Sequence, residues 1–185
     1  MARATEKTEP RRAATSSWGD GVPRSGSIAV CVRAAVPQDR EPLARLRRQA
    51  EAVHARLLPD YFRESLLSDA REAPPATGSA ILVAERVDAP RDVLGYVSVN
   101  LVDTPRDPAM TPRRRVHVDT VVVEDKVRGS GIGTALMRAA ADWARRREAA
   151  ELVLTVWSDN QAAEALYRRA GFRPIARILR LPIDG

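Results

Sequence analysis

Cysteine occurs once in 185 residues, at Cys31. An internal disulfide is excluded, and a reducing, cytoplasmic setting is the expectation. Cys31 lies in an apolar run and is expected to be a buried strand residue. No run of about 18 apolar residues is present, which excludes a helical membrane span. No apolar segment near the start has the form of a secretory signal. Lysine is nearly absent, at Lys7 and Lys126 alone, so the 30 basic residues are otherwise arginines. Aromatic residues make up 4%, and none alternate with basic residues as a nucleic-acid stacking platform requires. With two histidines, His54 and His117, and one cysteine, no metal-binding cluster is expected.

Positive charge is in excess: the net charge is +6 and the pI is about 10.3. A basic balance raises nucleic-acid binding as a rival function. The arginines cluster at Arg113–Arg115, Arg145–Arg147 and Arg168–Arg169. Two of these clusters fall near expected helix C-termini, where cations favour the dipole. Solvated arginines on helix faces are therefore the expectation, and nucleic acid is disfavoured as a partner. Residues 1–27 are polar, rich in Pro, Gly, Ser and Thr, and without apolar periodicity. They are expected to form a disordered tail before one domain at 28–185.

The segment Val121–Leu136, VVVEDKVRGSGIGTAL, carries the most information. A β-like apolar run empties into a charged turn, then Arg128-Gly129-Ser130-Gly131-Ile132-Gly133, then a helical pattern. Glycine lets backbone N–H groups turn toward a ligand. A helix beginning there adds its unpaired amides and the positive end of its dipole. Together they form an anion cradle with Arg128 beside it. A P-loop requires Lys after its glycines, and none follows here. A dinucleotide fingerprint requires GxGxxG, but the third glycine position is Thr134 or Leu136 in the two registers. What stands is R-x-x-G-x-G.

A second motif, Ser158–Phe172, reads SDNQAAEALYRRAGF. Ser158 with Gln161 suits a capping box. Ala163, Leu166, Tyr167 and Ala170 recur at helical spacing, and Gly171 suits the C′ position. Asn160 and Tyr167 lie seven apart, two turns along one helix face. R-x-x-G-x-G followed by N-x6-Y and Gly-Phe resembles the signature of the GCN5-related N-acetyltransferase (GNAT) superfamily.

The remaining pattern alternates. Ile28–Arg33 is a strand candidate, and Asp39 can cap a helix striped by Leu43, Leu46, Ala50, Val53 and Leu57. Pro59-Asp60-Tyr61-Phe62 breaks that helix, with a short second helix through Leu67 and a Pro-rich loop over Glu72–Gly78. Ala80–Val87 and Val93–Val102 are expected to form a hairpin. Beyond the loop Asp103–Pro112, Arg115–Val123 is a strand and Ile132–Ala144 a clear amphipathic helix. Glu151–Trp157 suits a strand buried on both faces, and Phe172–Leu181 a closing strand. The order β-α-α-β-β-β-α-β-α-β is similar to the GNAT fold over 28–181: a mixed α/β, mostly antiparallel sheet of six or seven strands with about four helices. The resemblance implies central strands that splay to admit acyl-CoA.

Amine chemistry sets what such a site must supply. An alkyl amine of pKa about 10.4 is neutral in roughly one molecule in 2,500 at pH 7, a cost of about 4.6 kcal/mol. Acyl transfer then needs a proton acceptor, an oxyanion donor and a proton for the departing thiolate, with proximity supplying much of the rate. The resemblance implies acetyl-CoA as cosubstrate, held by Val121, Val122 and Val123 along the pantetheine arm, by Arg128, Gly129, Ser130, Gly131, Ile132, Gly133 and Thr134 at the pyrophosphate, and by Asn160. It implies Tyr167 as the thiolate acid, the backbone N–H of Val121 or Val122 as oxyanion donor, and Asp119, nine residues before Arg128, as the base acting through water. His117 shares strand parity with Asp119, and its side-chain type suits acid–base work. His54, Tyr61 and Phe62, with His117, are candidates for lining the amine acceptor's site. Glu124 and Asp125 are poorer bases, being turned toward the phosphates. An N-acetyltransferase acting on a primary amine, with room for a homodimer, is the resulting expectation. A non-catalytic CoA-binding regulatory domain and a basic nucleic-acid-binding protein are the alternatives.

Overall fold

A computed structural model describes residues 28–62, 77–103, 111–181 and 183. In chain order the elements are β1 (Val30–Ala34), α1 (Arg40–Leu57), β2 (Ser79–Arg86), β3 (Val93–Asp103), β4 (Arg114–Val123), α2 (Ile132–Arg145), β5 (Glu151–Leu154) and α3 (Gln161–Arg169). The sheet order is β1-β2-β3-β4-β5. The first four strands are antiparallel neighbours, and β5 joins β4 in parallel. A parallel neighbour needs a crossover, and α2 supplies it. The mixed, mostly antiparallel α/β sheet expected from the sequence is therefore present.

Helices cover both faces. Against one lies α2, whose Ile132, Leu136, Met137, Ala140, Trp143 and Ala144 pack on Leu82, Ala84, Val97, Val99, Val116 and Val118. Burying each large aliphatic among them contributes about 1.5–3 kcal/mol. On the other face Leu43 and Leu46 of α1 meet Val83, Val93, Tyr96 and Val122. The i, i+3, i+4 stripe of α1 fades toward its C-terminal end, where Ala50, Val53 and Leu57 are only half-buried.

At the head of α1, Asp39 occupies the N-cap position, but its carboxylate turns away from the helix amides. It accepts from Val36 N at 2.8 Å and, bidentately, from Arg33 at 2.7 and 3.0 Å. Arg33 also grips Glu85 across the β1–β2 pair. The ion network thus ties the edge strand to the first helix, and Asp39 is the buried carboxylate within it at 3% exposure.

Several expectations are corrected. Cys31 is in β1 but exposed, because it lies on the unburied side of an edge strand. Strand β5 stops at Leu154, short of Trp157, and its four residues are half-buried. No strand forms over Phe172–Leu181; Ile175, Ile178, Leu179 and Leu181 are 77–91% exposed and pair with nothing in the sheet. Five strands and three α-helices are therefore present among the described residues, against six or seven and about four expected. The tail 1–27 lies outside the described residues, as do the second helix toward Leu67 and most of the Pro-rich and Asp103–Pro112 loops. Among the described residues no helix is long and apolar enough to cross a membrane.

The Arg33 hydrogen bonds hold the Asp39 carboxyl below its ordinary value. A lowered carboxyl contributes stability that is present above about pH 4 and lost as pH falls through the folded value. Replacing Asp39 by Ala leaves Arg33 facing Glu85 alone and orphans Val36 N–H, so a loss of about 3 kcal/mol is expected in urea unfolding at pH 7. The difference between wild type and Asp39→Ala should narrow as the titration is carried below pH 4.

Candidate functional site

Strand β4 is paired unequally on its two sides. Against β3 it is registered from Arg114 to Val123. Against β5 it is registered only from Arg115 to Val118. Beyond Val118 the two strands part, and the outer edge of Thr120–Val123 has no strand partner. Glu124 N donates to Leu94 O of β3 at 2.8 Å, while Val123 O accepts from Gln49 Nε2 of α1 at 3.0 Å. Backbone groups alternate sides along a strand, so Val121 and Val123 turn theirs to the open edge. Val122 turns its own toward β3, where its carbonyl lies 2.6 Å from where a Cβ on Gly95 would be. Of the three valines, Val121 and Val123 can pair with an extended ligand.

The parting coincides with a bulge. Ser98 pairs with Thr120 and Val99 with Val118, leaving Asp119 as the extra residue of β4. Such an insertion switches strand parity. Before it the even residues Val116 and Val118 face α2; after it Val121 and Val123 do. Asp119 therefore sits where the strand changes face.

The glycine loop follows directly. Gly129 and Gly131 hold left-handed φ of +83° and +92°, and a Cβ at either would meet nothing within 4 Å. Strain, not crowding, selects glycine there, and the space above both is open to a ligand. Gly131 is the N-cap of α2, so the first amides of α2 face that space. Gly133 is different: its Cβ would come within 3.2 Å of Leu166, so it sets the contact between α2 and α3. Arg128 pairs with Asp125 at 2.6 Å at the rim, and Ser130 Oγ donates to Val127 O at 2.6 Å. Asp125 is thus engaged, as is Glu124, which pairs with Arg45 of α1 at 2.8 Å.

The cap of α3 differs from the expected one. Asn160, not Ser158, is the N-cap, and its side-chain oxygen accepts from Ala163 N at 3.2 Å. The chain turns tightly just before it, Asn160 N donating to Trp157 O at 2.9 Å, which leaves Ser158 outside the helix. At the far end Phe172 N donates to Tyr167 O and Gly171 N to Arg168 O, both at 3.0 Å. This is a Schellman motif with Gly171 in the left-handed region at +87°. Its apolar contact is the ring pair Tyr167–Phe172, with centroids 5.8 Å apart. The helix end thereby fixes the Tyr167 ring, and burial pushes its phenol above the ordinary value.

These parts share one cleft of about 1790 Å³. The glycine loop, Val121–Val123, Asn160 and Tyr167 line it, and so do His54, His117 and Asp119. His117 Nδ1 lies 2.8 Å from Asp119 Oδ1. Sequence parity placed these two on one face; only the structure shows them bonded. Tyr61 and Phe62 meet Trp157, with centroids 5.1 and 5.5 Å apart, and Phe62 stacks on His54 at 5.1 Å. Three of the four proposed acceptor residues thus form an aromatic group at the end of α1, and His117 stands apart from it on β4. Trp157 and Gln49 went unnoticed in the sequence. An aromatic residue just past a short strand gave the first a weak signal; nothing marked the second. Among the described residues no His/Cys/Asp/Glu group could hold a metal ion.

Comparison with known proteins agrees with this geometry. The acetyltransferase (GNAT) family matches residues 43–172. A mutant of the BH1408 protein from Bacillus halodurans superposes with a TM-score of 0.77 at 27% identity, covering 83% of this chain and 99% of that one. The N-alpha-acetyltransferase RimI of Mycobacterium tuberculosis is 40% identical over 83 residues, 45% of this chain and 47% of its own length. The streptothricin acetyltransferase of Streptomyces lavendulae is 46% identical over 59 residues, 32% of this chain and 31% of its own length. The match thus spans less than half the length of either relative.

Tyrosine ionisation tests the buried phenol. There are three tyrosines, and absorbance titration of wild type against Tyr167→Phe should assign to Tyr167 a phenol that ionises above about pH 10. An ordinary or lowered value in the difference curve would contradict the burial described.

Proposed function

The chain belongs to the acetyltransferase (GNAT) family, and from that premise we propose that it transfers an acetyl group from acetyl-CoA to a primary amine. The acceptor is a small molecule or a peptide, attacked directly in a ternary complex. The observation that carries the reading is the single cleft joining a left-handed glycine cradle at a helix N-terminus to a buried phenol.

The residues present fit acetyl-CoA. Gly129 through Thr134 offer amides to a pyrophosphate, with Arg128 as a fixed cation free to exchange Asp125 for phosphate. The free edge of β4 offers Val121 and Val123 to an extended amide-bearing arm, and Asn160 stands at its far wall. Val121 N–H is the donor suited to an oxyanion, since Val122 N–H is spent on β3. Tyr167 stays neutral across the physiological range, so it carries a proton to give to a leaving thiolate. Asp119 belongs to the amine side of the same cleft; His54 and Trp157 line its acceptor end, and Tyr61 and Phe62 pack on those two rings without lining the cleft themselves. By their names, RimI is an N-alpha-acetyltransferase and the Streptomyces lavendulae relative acts on streptothricin; the reading leaves room for acceptors of either kind.

Purified protein should be stabilised by acetyl-CoA, by about 2.7 kcal/mol at 100 times the dissociation constant. Absence of any stabilisation would remove the acyl-CoA assignment. A thiol-release screen against mixed amines and peptides should then find turnover. Tyr167→Phe should lower kcat about 100-fold while leaving acetyl-CoA binding within a factor of three. Arg128→Ala should do the reverse, weakening acetyl-CoA about tenfold with kcat little changed. Stabilisation without turnover against every class of amine would favour a non-catalytic CoA-binding domain.

A further inference from the structure

We propose that the group taking the proton from the amine is His117, with Asp119 as its positioning residue. The inference deepens the acetyltransfer reading above and rests on it.

The geometry is that of an oriented imidazole. His117 Nδ1 and Asp119 Oδ1 are 2.8 Å apart. An ionised carboxylate only accepts, so Nδ1 carries the hydrogen, and in the neutral ring Nε2 keeps its lone pair. Both side chains line the cleft that holds Tyr167, and at 36% and 48% exposure they stay in reach of a diffusing amine. The bulge serves this arrangement. Asp119 is the unpaired residue of β4, at the point where β4 leaves β5.

The cations that share the cleft, Lys126, Arg128, Arg138 and Arg169, lie in the turn and glycine loop after β4, on α2 and on α3. Opposite His117 stand Asn100 on β3 and Val153 on β5, neither of them charged. The nearest ionic residues on its face of β4 and β5 are Arg115 and Glu151, which pair with each other at 2.7 Å. From α1, His54 lines the same cleft but stacks on Phe62. Asp119 is thus the charged partner of His117 among the described residues. An ordinary imidazole also titrates about 2.6 pH units closer to an amine than an ordinary aspartate does, so proton transfer to it is less uphill.

The step balances as follows. Neutral His117 Nε2 takes one proton from the bound ammonium and later passes it to water. The freed nitrogen lone pair bonds to the thioester carbonyl carbon. The carbon–sulfur bond then breaks, and the thiolate takes the Tyr167 proton. The second proton leaving nitrogen restores the phenol through water. Amide, free thiol and one released proton are the products.

The chain has two histidines, so ¹⁵N-detected imidazole NMR on the full-length protein reads each directly. In wild type at pH 8, His117 should be the Nδ1–H tautomer with Nε2 bare, and Asp119→Asn should weaken that preference. A wild-type Nε2–H tautomer, or a tautomer ratio indifferent to Asp119→Asn, overturns the proposal. Kinetics use acetyl-CoA with 1,4-diaminobutane and with a short peptide bearing a free α-amine. His117→Asn, which keeps an N–H toward Asp119, should lower kcat at least 100-fold, leave KM for acetyl-CoA within twofold and erase the acid limb of the kcat–pH profile. Asp119→Asn should lower kcat with KM for acetyl-CoA within twofold, and Asp119→Glu should restore kcat in part. Full activity in His117→Asn overturns the assignment, whereas failure of both probes in wild type counts against the acetyltransfer reading and leaves the tautomer measurement to decide His117.

Discussion

Strand β4 is bonded along its whole length on one side and for four residues on the other. The rest of the molecule follows from that inequality. Where β5 lets go, β4 presents backbone groups that nothing in the sheet satisfies. Buried or half-buried polar backbone needs a partner, and here Gln49 supplies one for Val123 O. The same parting opens the cleft, and the bulge at Asp119 falls at the same place. The glycine loop then begins a few residues on, so it is anchored to the strand whose edge is free. The proposed cosubstrate, with its charged and its extended part, would meet this single strand and its exit.

Rigidity around the opening comes from contacts that would be unremarkable elsewhere. Gly133 lets α2 and α3 approach through Leu166, which holds the cradle against the helix bearing Tyr167. The Schellman end of α3 pins that ring on Phe172. From the other face, Arg45 and Gln49 of α1 hold the end of β4 through Glu124, Val123 O and Asp125 N. The loop after β4 thus lies between two sets of contacts, one from α3 and one from α1.

Arginine dominates the charge, and most of its visible partners are close carboxylates. Arg33, Arg45, Arg86, Arg115, Arg128 and Arg168 each face an aspartate or glutamate. Exposed pairs of this kind contribute little stability; the partly buried Arg33–Asp39 pair is the exception. The net positive charge therefore reads as a field spread over helix ends and strand starts. A field of that kind raises the local concentration of anions.

Local patterns were legible in the sequence where local physics controls them. The α2 stripe, the β2–β3 hairpin, the left-handed glycines and Gly171 at the end of α3 were all visible from residue type and spacing. Family resemblance named the loop and Tyr167 together. The misjudged elements depend on distant partners. Glu151–Trp157 reads as a long strand, but its length is set by where β4 turns away. Phe172–Leu181, with Ile175, Ile178 and Leu181, reads as a closing strand, yet a strand needs a neighbour, and among the described residues it has none. Ser158 matched a capping box, but the turn at Trp157–Asn160 handed that role to Asn160. Asp39 matched a helix cap, but Arg33 claimed its carboxylate.

The sequence by itself determined the glycines that free the loop before α2 and end α3, the faces of the helices, and the residue types able to handle phosphate and protons. Those depend on one residue and its near neighbours, which the sequence states outright. The tertiary structure alone decided that β4 and β5 part after Val118, that Asp119 is the bulged residue, and that its carboxylate meets His117. Each of these depends on strand register, and register is a bargain between segments far apart in the chain.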